Sequence, residues 1–160
     1  MQKVSIICTG KLKEKFYLDA AAEYVKRLSR FCKLEILELP EERLPDDPSP
    51  AQIEAALSRE ADAVRAKLPA GCFLIAMCVE GKERSSEELA RLLADTATRG
   101  VGHIVFLIGS SFGMHPSLKQ QADLRLSMSP MTFPHHLLRV MLLEQVYRAY
   151  QINAGSKYHK

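Results

Sequence analysis

The fold class is decided by the stretch Cys72-Phe73-Leu74-Ile75-Ala76-Met77-Cys78-Val79, which is apolar throughout and does not alternate with polar residues. A strand that is covered on both faces has this pattern, and such strands are typical of parallel sheets flanked by helices. The run is too short to span a bilayer. It therefore predicts an interior strand of an α/β fold.

Outward from this strand, short apolar runs alternate with amphipathic stretches, as expected of strands joined by helical crossovers. Further strands are predicted over Val4 to Cys8, Leu34 to Leu39 and His103 to Ile108. Helices are predicted over Lys15 to Arg30, from Pro50 to about Lys67, after Ser85, and roughly from His136 to Ile152. We expect a mostly parallel sheet flanked by helices.

Two helix starts carry a capping box, in which a serine and a residue three positions later satisfy each other's backbone N–H groups. Ser49 and Gln52 form one such pair, and Ser85 and Glu88 form the other. Gly100 is expected to end the helix that Ser85 opens, because glycine tolerates the left-handed conformation found after helices.

Length and composition set limits on the class of protein. The 160 residues suffice for one core, so we expect a single domain over 1–160. The net charge of +3 permits an RNA partner without requiring one. Cys8, Cys32, Cys72 and Cys78 show neither C-x-x-C nor zinc-ligand spacing, which favours buried thiols, no metal and a reducing cytoplasm. No signal-like N-terminus and no spanning segment is evident, so a cytoplasmic protein without a membrane partner is expected.

The loop Gly109-Ser110-Ser111-Phe112-Gly113 follows the strand that ends at Ile108 and has two interpretations. It matches the G-x-S-x-G pattern of serine hydrolases, which needs a helix to begin directly after the serine. Here any helix is expected to begin about five residues after Ser111, at Pro116. Alternatively, the glycines let the main chain approach a cofactor at the carboxyl ends of parallel strands.

The last helix is apolar around well over half of its circumference, which one core cannot fully use. A helix of this kind is either deeply buried or shared with a second subunit. We favour a two-fold homodimer interface.

Several motifs together resemble the ribosomal RNA large subunit methyltransferase H family. They are Lys11 to Lys15, Glu80-Gly81-Lys82, Ser85-Ser86-Glu87, Gly109 with Gly113, Leu126 to His135, Arg139-Val140, Glu144 to Ala149 and Tyr158-His159-Lys160. The resemblance spans the whole chain, and the joint pattern is specific although each piece is common.

This resemblance implies a SPOUT methyltransferase fold with a C-terminal trefoil knot, a homodimer, and S-adenosylmethionine as cofactor. It implies methyl transfer to N3 of a pseudouridine in the 23S ribosomal RNA of the assembled ribosome. The cofactor positions of the family fall on Met77, Gly109, Met128, Ser129, Pro130, Met131, Thr132 and Phe133. One departure stands out, because family members commonly carry a second glycine where this chain has Ser110.

Methylation at N3 also requires an acceptor for the N3 proton, for which histidine is suited near neutral pH. His159 on the tail and His135 after the cofactor loop are the candidates, and Tyr158 is placed to stack on the target base. Arg139, Arg148 and Lys160 are candidate phosphate contacts. His103 and His115 are expected to be structural. A serine hydrolase and a non-catalytic RNA-binding module remain the alternatives.

Overall fold

The computed structural model describes residues 1–160 and contains a five-stranded sheet with helices on both faces. In chain order the elements are β1 (Lys3–Thr9), α1 (Lys15–Leu28), β2 (Lys33–Leu39), α2 (Pro50–Arg65), β3 (Phe73–Glu83), α3 (Ser86–Thr98), β4 (His103–Ile108), α4 (Pro116–Gln121), β5 (Leu124–Ser127) and α5 (His135–Asn153). The strand order is β2-β1-β4-β3-β5, and every pairing is parallel. The predicted α/β class is confirmed, while the trefoil knot stays a prediction.

The unbroken apolar runs arise because both faces of the sheet are covered. On β4, Ile104, Phe106 and Ile108 belong to the core that also contains residues of α1, α3 and α5. The residues between them, Val105 and Leu107, belong to the core on the opposite face, with α2 and α4. Successive side chains therefore alternate between two cores, not between core and solvent.

Both predicted capping boxes are present. Ser49 Oγ accepts from the Gln52 N–H at 3.1 Å, and Gln52 Oε1 accepts from the Ser49 N–H at 2.8 Å. Ser85 and Glu88 form the equivalent bonds at 3.1 and 2.7 Å. Beyond the end of α3, Gly100 has a φ of 81°, as its position after the helix predicted. These local signals fix where α2 and α3 begin relative to the sheet.

No strand was predicted at β5, because its four residues are too few to show a period. The pairing of β5 with β3 is also interrupted: Met77 and Lys82 both pair with Leu126, so residues 78–81 leave the ladder. A Cβ on Gly81 would lie 2.8 Å from the carbonyl carbon of Arg125, so this detour depends on glycine.

All four cysteines are free thiols. Cys8 and Cys32 are buried as expected, whereas Cys72, just before β3, and Cys78, after its buried residues 74–77, are partly exposed. No helix is both long enough and apolar enough to cross a membrane. No group of three or more His, Cys, Asp or Glu side chains is arranged to hold a metal ion.

Candidate functional site

A cavity of about 380 Å³ lies where β4 and β5 end and where the first part of β3, residues 73–77, ends at the interruption of its ladder. The carboxyl ends of neighbouring parallel strands are the usual place for ligands in α/β folds. Seven of the eight predicted cofactor positions line the cavity: Met77, Gly109, Met128, Ser129, Met131, Thr132 and Phe133. Pro130 does not line it. Chain segments that are far apart in sequence thus converge on one concave site.

The glycine loop, residues 109–113, forms one wall of this cavity. Ser110 and Gly113 exchange backbone hydrogen bonds of 3.0 and 2.8 Å, which close a tight turn. A Cβ on Gly109 would lie 2.4 Å from the Gly113 carbonyl oxygen, so the turn can close only if residue 109 is glycine. Gly113 itself has a φ of 93°, which L side chains rarely adopt.

Ser110, the departure from the family pattern, does not have a positive φ. Its side chain is buried, and Oγ donates to Glu60 Oε1 at 2.8 Å. The residue therefore adopts ordinary backbone angles, and its hydroxyl binds a neighbouring helix.

The opposite wall is the loop between β5 and α5, which two serines shape. Ser127 Oγ donates to the Ser129 carbonyl at 3.0 Å, and Ser129 Oγ accepts from the Met131 N–H at 3.0 Å. Met131 is 73% exposed at the rim, whereas Met128 packs against the core. This loop is thus ordered by its own hydrogen bonds while its tip extends into solvent.

Of the two candidate proton acceptors, only His135 lines the cavity. Burial, and then the neighbouring His136, lower the pKa of His135 below its ordinary value. The ring is therefore neutral at pH 7, which is the form that accepts a proton.

The tail of the same chain lies away from the cavity. Tyr158 Oη donates to Glu144 Oε2 at 2.7 Å, and His159 Nε2 lies 2.6 Å from Glu87 Oε1. Arg148 bonds His159 Nδ1 at 3.1 Å and stacks on the Tyr158 ring at 4.8 Å. Within one subunit, the tail thus docks on α3 and α5 and does not join His135.

The candidate phosphate contacts have different surroundings. The Arg139 side chain is 4% exposed and bonds Glu38 at 2.6 Å and the Gly10 carbonyl at 3.3 Å. These internal partners give Arg139 a structural role in joining α5 to β2 and to the end of β1. Arg148 is partly exposed next to the tail, and Lys160 is exposed.

His103 and His115 are both engaged inside the fold. His103 Nε2 lies 2.7 Å from Ser5 Oγ, between two adjacent strands. His115 Nδ1 accepts from the Ser117 N–H at 3.1 Å and so caps α4. The prediction that these two histidines are structural agrees with these contacts.

The geometry disfavours a serine hydrolase. Ser111 Oγ donates to Glu41 at 2.6 Å, and no histidine hydrogen-bonds to it. As predicted, α4 begins only at Pro116, so its N-terminal amides do not directly follow the serine. Asp123, which follows Ser111 in the order of a hydrolase triad, accepts instead from the Leu74 N–H at 2.8 Å.

The residues that line the cavity without having been predicted as site residues include Cys78, Val79, Glu80 and Lys119. The first three lie in the interrupted part of β3, and Lys119 on α4 pairs with Glu80 at 2.5 Å. Burial raises the pKa of the Cys78 thiol, so it stays protonated and serves as apolar wall. The Glu80-Gly81-Lys82 motif was the only signal in the sequence for this segment.

The chain matches a known protein family over nearly its whole length. A model of the predicted SPOUT methyltransferase family matches residues 2–159. The chain belongs to the SPOUT methyltransferase family. A solved structure described as a probable methylase family protein from Haemophilus influenzae Rd KW20 has a similar fold, with a TM-score of 0.51 at 13% identity. That likeness covers 99% of this chain and 70% of the other, and it supports the fold alone.

Curated relatives extend the SPOUT assignment over the full length. A protein of Streptococcus equi subsp. zooepidemicus (strain MGCS10565), named ribosomal RNA large subunit methyltransferase H, is 46% identical over 158 residues, or 99% of each chain. Proteins of the same name from Bifidobacterium adolescentis and Lactobacillus delbrueckii subsp. bulgaricus are 46% and 44% identical, again over at least 98% of this chain. The resemblance found in the motifs is thereby confirmed.

Proposed function

We propose that the protein transfers a methyl group from S-adenosylmethionine to N3 of a pseudouridine in the 23S ribosomal RNA of the ribosome. The observation that carries the proposal is the cavity at the ends of β4, β5 and the first part of β3 in a SPOUT family member. The names of the relatives, which are 43–46% identical, support ribosomal RNA as the substrate class.

The residues around the cavity suit S-adenosylmethionine. The volume of about 380 Å³ lies within the range of about 300 to 1,000 Å³ that is usual for small-molecule sites. Met77, Met128 and Phe133 offer apolar surface for a flat ring, and the two loops offer backbone groups for hydrogen bonds. The residues that would hold the cofactor are Met77, Gly109, Met128, Ser129, Met131, Thr132 and Phe133.

When bound, S-adenosylmethionine supplies a methyl group on a sulfonium that is already reactive toward nitrogen. The chain must hold the target base in line with that methyl group and provide an acceptor for the N3 proton. His135 lines the cavity in its neutral form and is our candidate for the acceptor. The walls of the cavity would also exclude water from the reacting atoms.

The tail would act on the cavity of a second subunit, since it docks away from its own. There Tyr158 would stack on the target base, and His159 would be the second candidate for the proton acceptor. Arg148 and Lys160 would hold phosphate groups of the RNA.

A homodimer is supported by an apolar stripe on α5. Leu137, Val140 and Met141 are only partly covered and do not pack against either hydrophobic core. They lie at helical i, i+3 and i+4 spacing on one side of the helix. We propose that a second copy of the chain covers this stripe in a cytoplasmic homodimer.

Two experiments test the proposed function. Calorimetry should detect saturable binding of S-adenosylmethionine, and failure to bind at millimolar concentration would overturn the proposal. Mass spectrometry of 23S ribosomal RNA should find one methylated pseudouridine that disappears when the gene is deleted. RNA binding without cofactor binding would favour the non-catalytic module instead.

A further inference from the structure

A buried carboxylate lies behind the glycine loop, outside the cavity itself. Glu60 on α2 is 7% exposed. Its Oε1 accepts from Ser110 Oγ at 2.8 Å, and its Oε2 accepts from the Glu42 N–H at 2.9 Å. Both oxygens are thus used to join other segments of the chain to α2.

This carboxylate is costly to keep. No basic side chain forms an ion pair with Glu60, so its charge is compensated only by neutral donors. Burial raises the pKa of Glu60, which means that ionisation inside the fold is disfavoured. The two hydrogen bonds offset part of this cost, and one of them comes from the glycine loop.

The loop is also held from a second point. Glu41 Oε1 accepts from both the N–H and the Oγ of Ser111, at 3.1 and 2.6 Å. With the turn bonds, the N–H groups of Ser110, Ser111 and Gly113 are all satisfied within the protein. Behind the loop remains a cavity of only about 10 Å³, near the lower limit for one water molecule. The loop therefore rests directly on α2.

We propose that Glu60 is a positioning residue that, through Ser110, holds the glycine loop in the shape that binds the cofactor. The inference rests on the proposed function, because it takes the loop to be a cofactor wall. We call the hydrogen bond between Ser110 and Glu60 the anchor. A glycine at position 110 would lack the hydroxyl, so the anchor depends on the serine that this chain has there.

Binding and kinetics of Ser110→Ala and Glu60→Gln test the anchor. The first removes only the hydroxyl, while an amide at position 60 cannot accept both hydrogen bonds. Each variant should raise the Kd and the KM for S-adenosylmethionine by about tenfold, the loss expected for a hydrogen bond to a charged group. The kcat at saturating cofactor should stay within about twofold of the wild-type value. The double variant should bind S-adenosylmethionine no more weakly than the single variant that binds it less well, because both changes remove the same interaction. Asp62→Asn, the same change at an exposed site on α2, is the matched control and should have no effect.

Hydrogen exchange in the free protein gives a readout that needs no ligand. The amides of Ser110 and Gly113 should exchange faster in both variants and not in the control. Unchanged exchange, or unchanged cofactor affinity in Ser110→Ala, would overturn the inference. If Ser110→Ala fails to fold, Ser110→Gly tests the same hydroxyl. Faster exchange in a protein that never binds S-adenosylmethionine would support the anchor and overturn the proposed function.

Discussion

Gly109 and Gly113 stand at the two ends of the same loop, and each position needs glycine for a different physical reason. Gly109 is required because a Cβ would collide with the Gly113 carbonyl oxygen at 2.4 Å, whereas Gly113 has open space around it and a φ of 93°. Gly109→Ala should therefore push the turn open and abolish binding of S-adenosylmethionine. Gly113→Ala should cost about 1–2 kcal/mol of stability through its backbone angles. Calorimetric titration and thermal unfolding of the two variants check this, and equal effects on binding would contradict it.

Arg139 is expected to stabilise the fold and not to bind RNA. Arg139→Met should lower the free energy of unfolding by about 2 kcal/mol, less than for a fully buried pair because Glu38 is 34% exposed. Lys15→Met, which breaks an exposed pair with Asp19 on α1, should leave stability nearly unchanged. Denaturant titration measures both, and weaker RNA binding by a stable Arg139→Met protein would contradict the structural role.

The same pair gives a pH dependence. Burial alone would raise the pKa of Glu38, but bonds from Arg139 and the Leu12 N–H outweigh it, so the pKa lies below its ordinary value. The ionised form thus stabilises the fold above the ordinary carboxyl pKa of about 4.3, and this contribution is lost as pH falls through the lowered pKa. The difference in stability between wild type and Arg139→Met should narrow below about pH 4.

His135 predicts the pH profile of methyl transfer. The charged and titratable groups around it are His136, Glu41, Arg139 and Glu14, and the resulting pKa lies below the ordinary 6.5 or so. Since the neutral ring is the acceptor, kcat should fall only as pH drops below about 6.5. His135→Gln should lower kcat at neutral pH and remove this acid limb, with cofactor Kd little changed. If the acid limb of the kcat profile is unchanged in His135→Gln, another group accepts the N3 proton, and His159 is then the next candidate.

At the scale of single elements, the role of the terminal segment from Tyr158 to Lys160 can be separated from cofactor binding. Its deletion removes the bonds to Glu144 and Glu87 but no residue that lines the cavity. We expect methyl transfer to be lost while calorimetric binding of S-adenosylmethionine stays near that of the full chain. Loss of both together would contradict a role on the substrate side alone.

Elements with strong local signals were predictable from the sequence, and those defined by distant contacts were not. Ser49 with Gln52 and Ser85 with Glu88 specify their helix starts within four residues, and the structure has both. β5 is a strand only because β3 pairs with it, and the detour of residues 78–81 exists only in that pairing. Similarly, Ser110 could be identified as unusual, but its partner Glu60 lies 50 positions away and no spacing rule connects them.

For the whole molecule, the main prediction concerns assembly. Val140→Glu places a charge in the apolar stripe of α5 and should convert the protein to monomers. Since the tail would serve the partner's cavity, methyl transfer should fall with the dimer fraction. Analytical ultracentrifugation beside an activity assay checks this, with Ala97→Glu on the exposed side of α3 as control. A fully active monomer would contradict the shared site.

The three strand ends around the cavity also determine when the site can exist during synthesis. Met77 lies near the middle of the chain and Gly109 about two thirds of the way along it, and the wall that starts at Met128 emerges from the ribosome after both. β3 must wait for β5, whose residues lie about fifty positions further along, and closing loops of that length slows folding. A nascent chain that lacks its last quarter has no complete pocket. It can therefore bind the cofactor only when folding is nearly finished, and cofactor binding cannot help folding to begin.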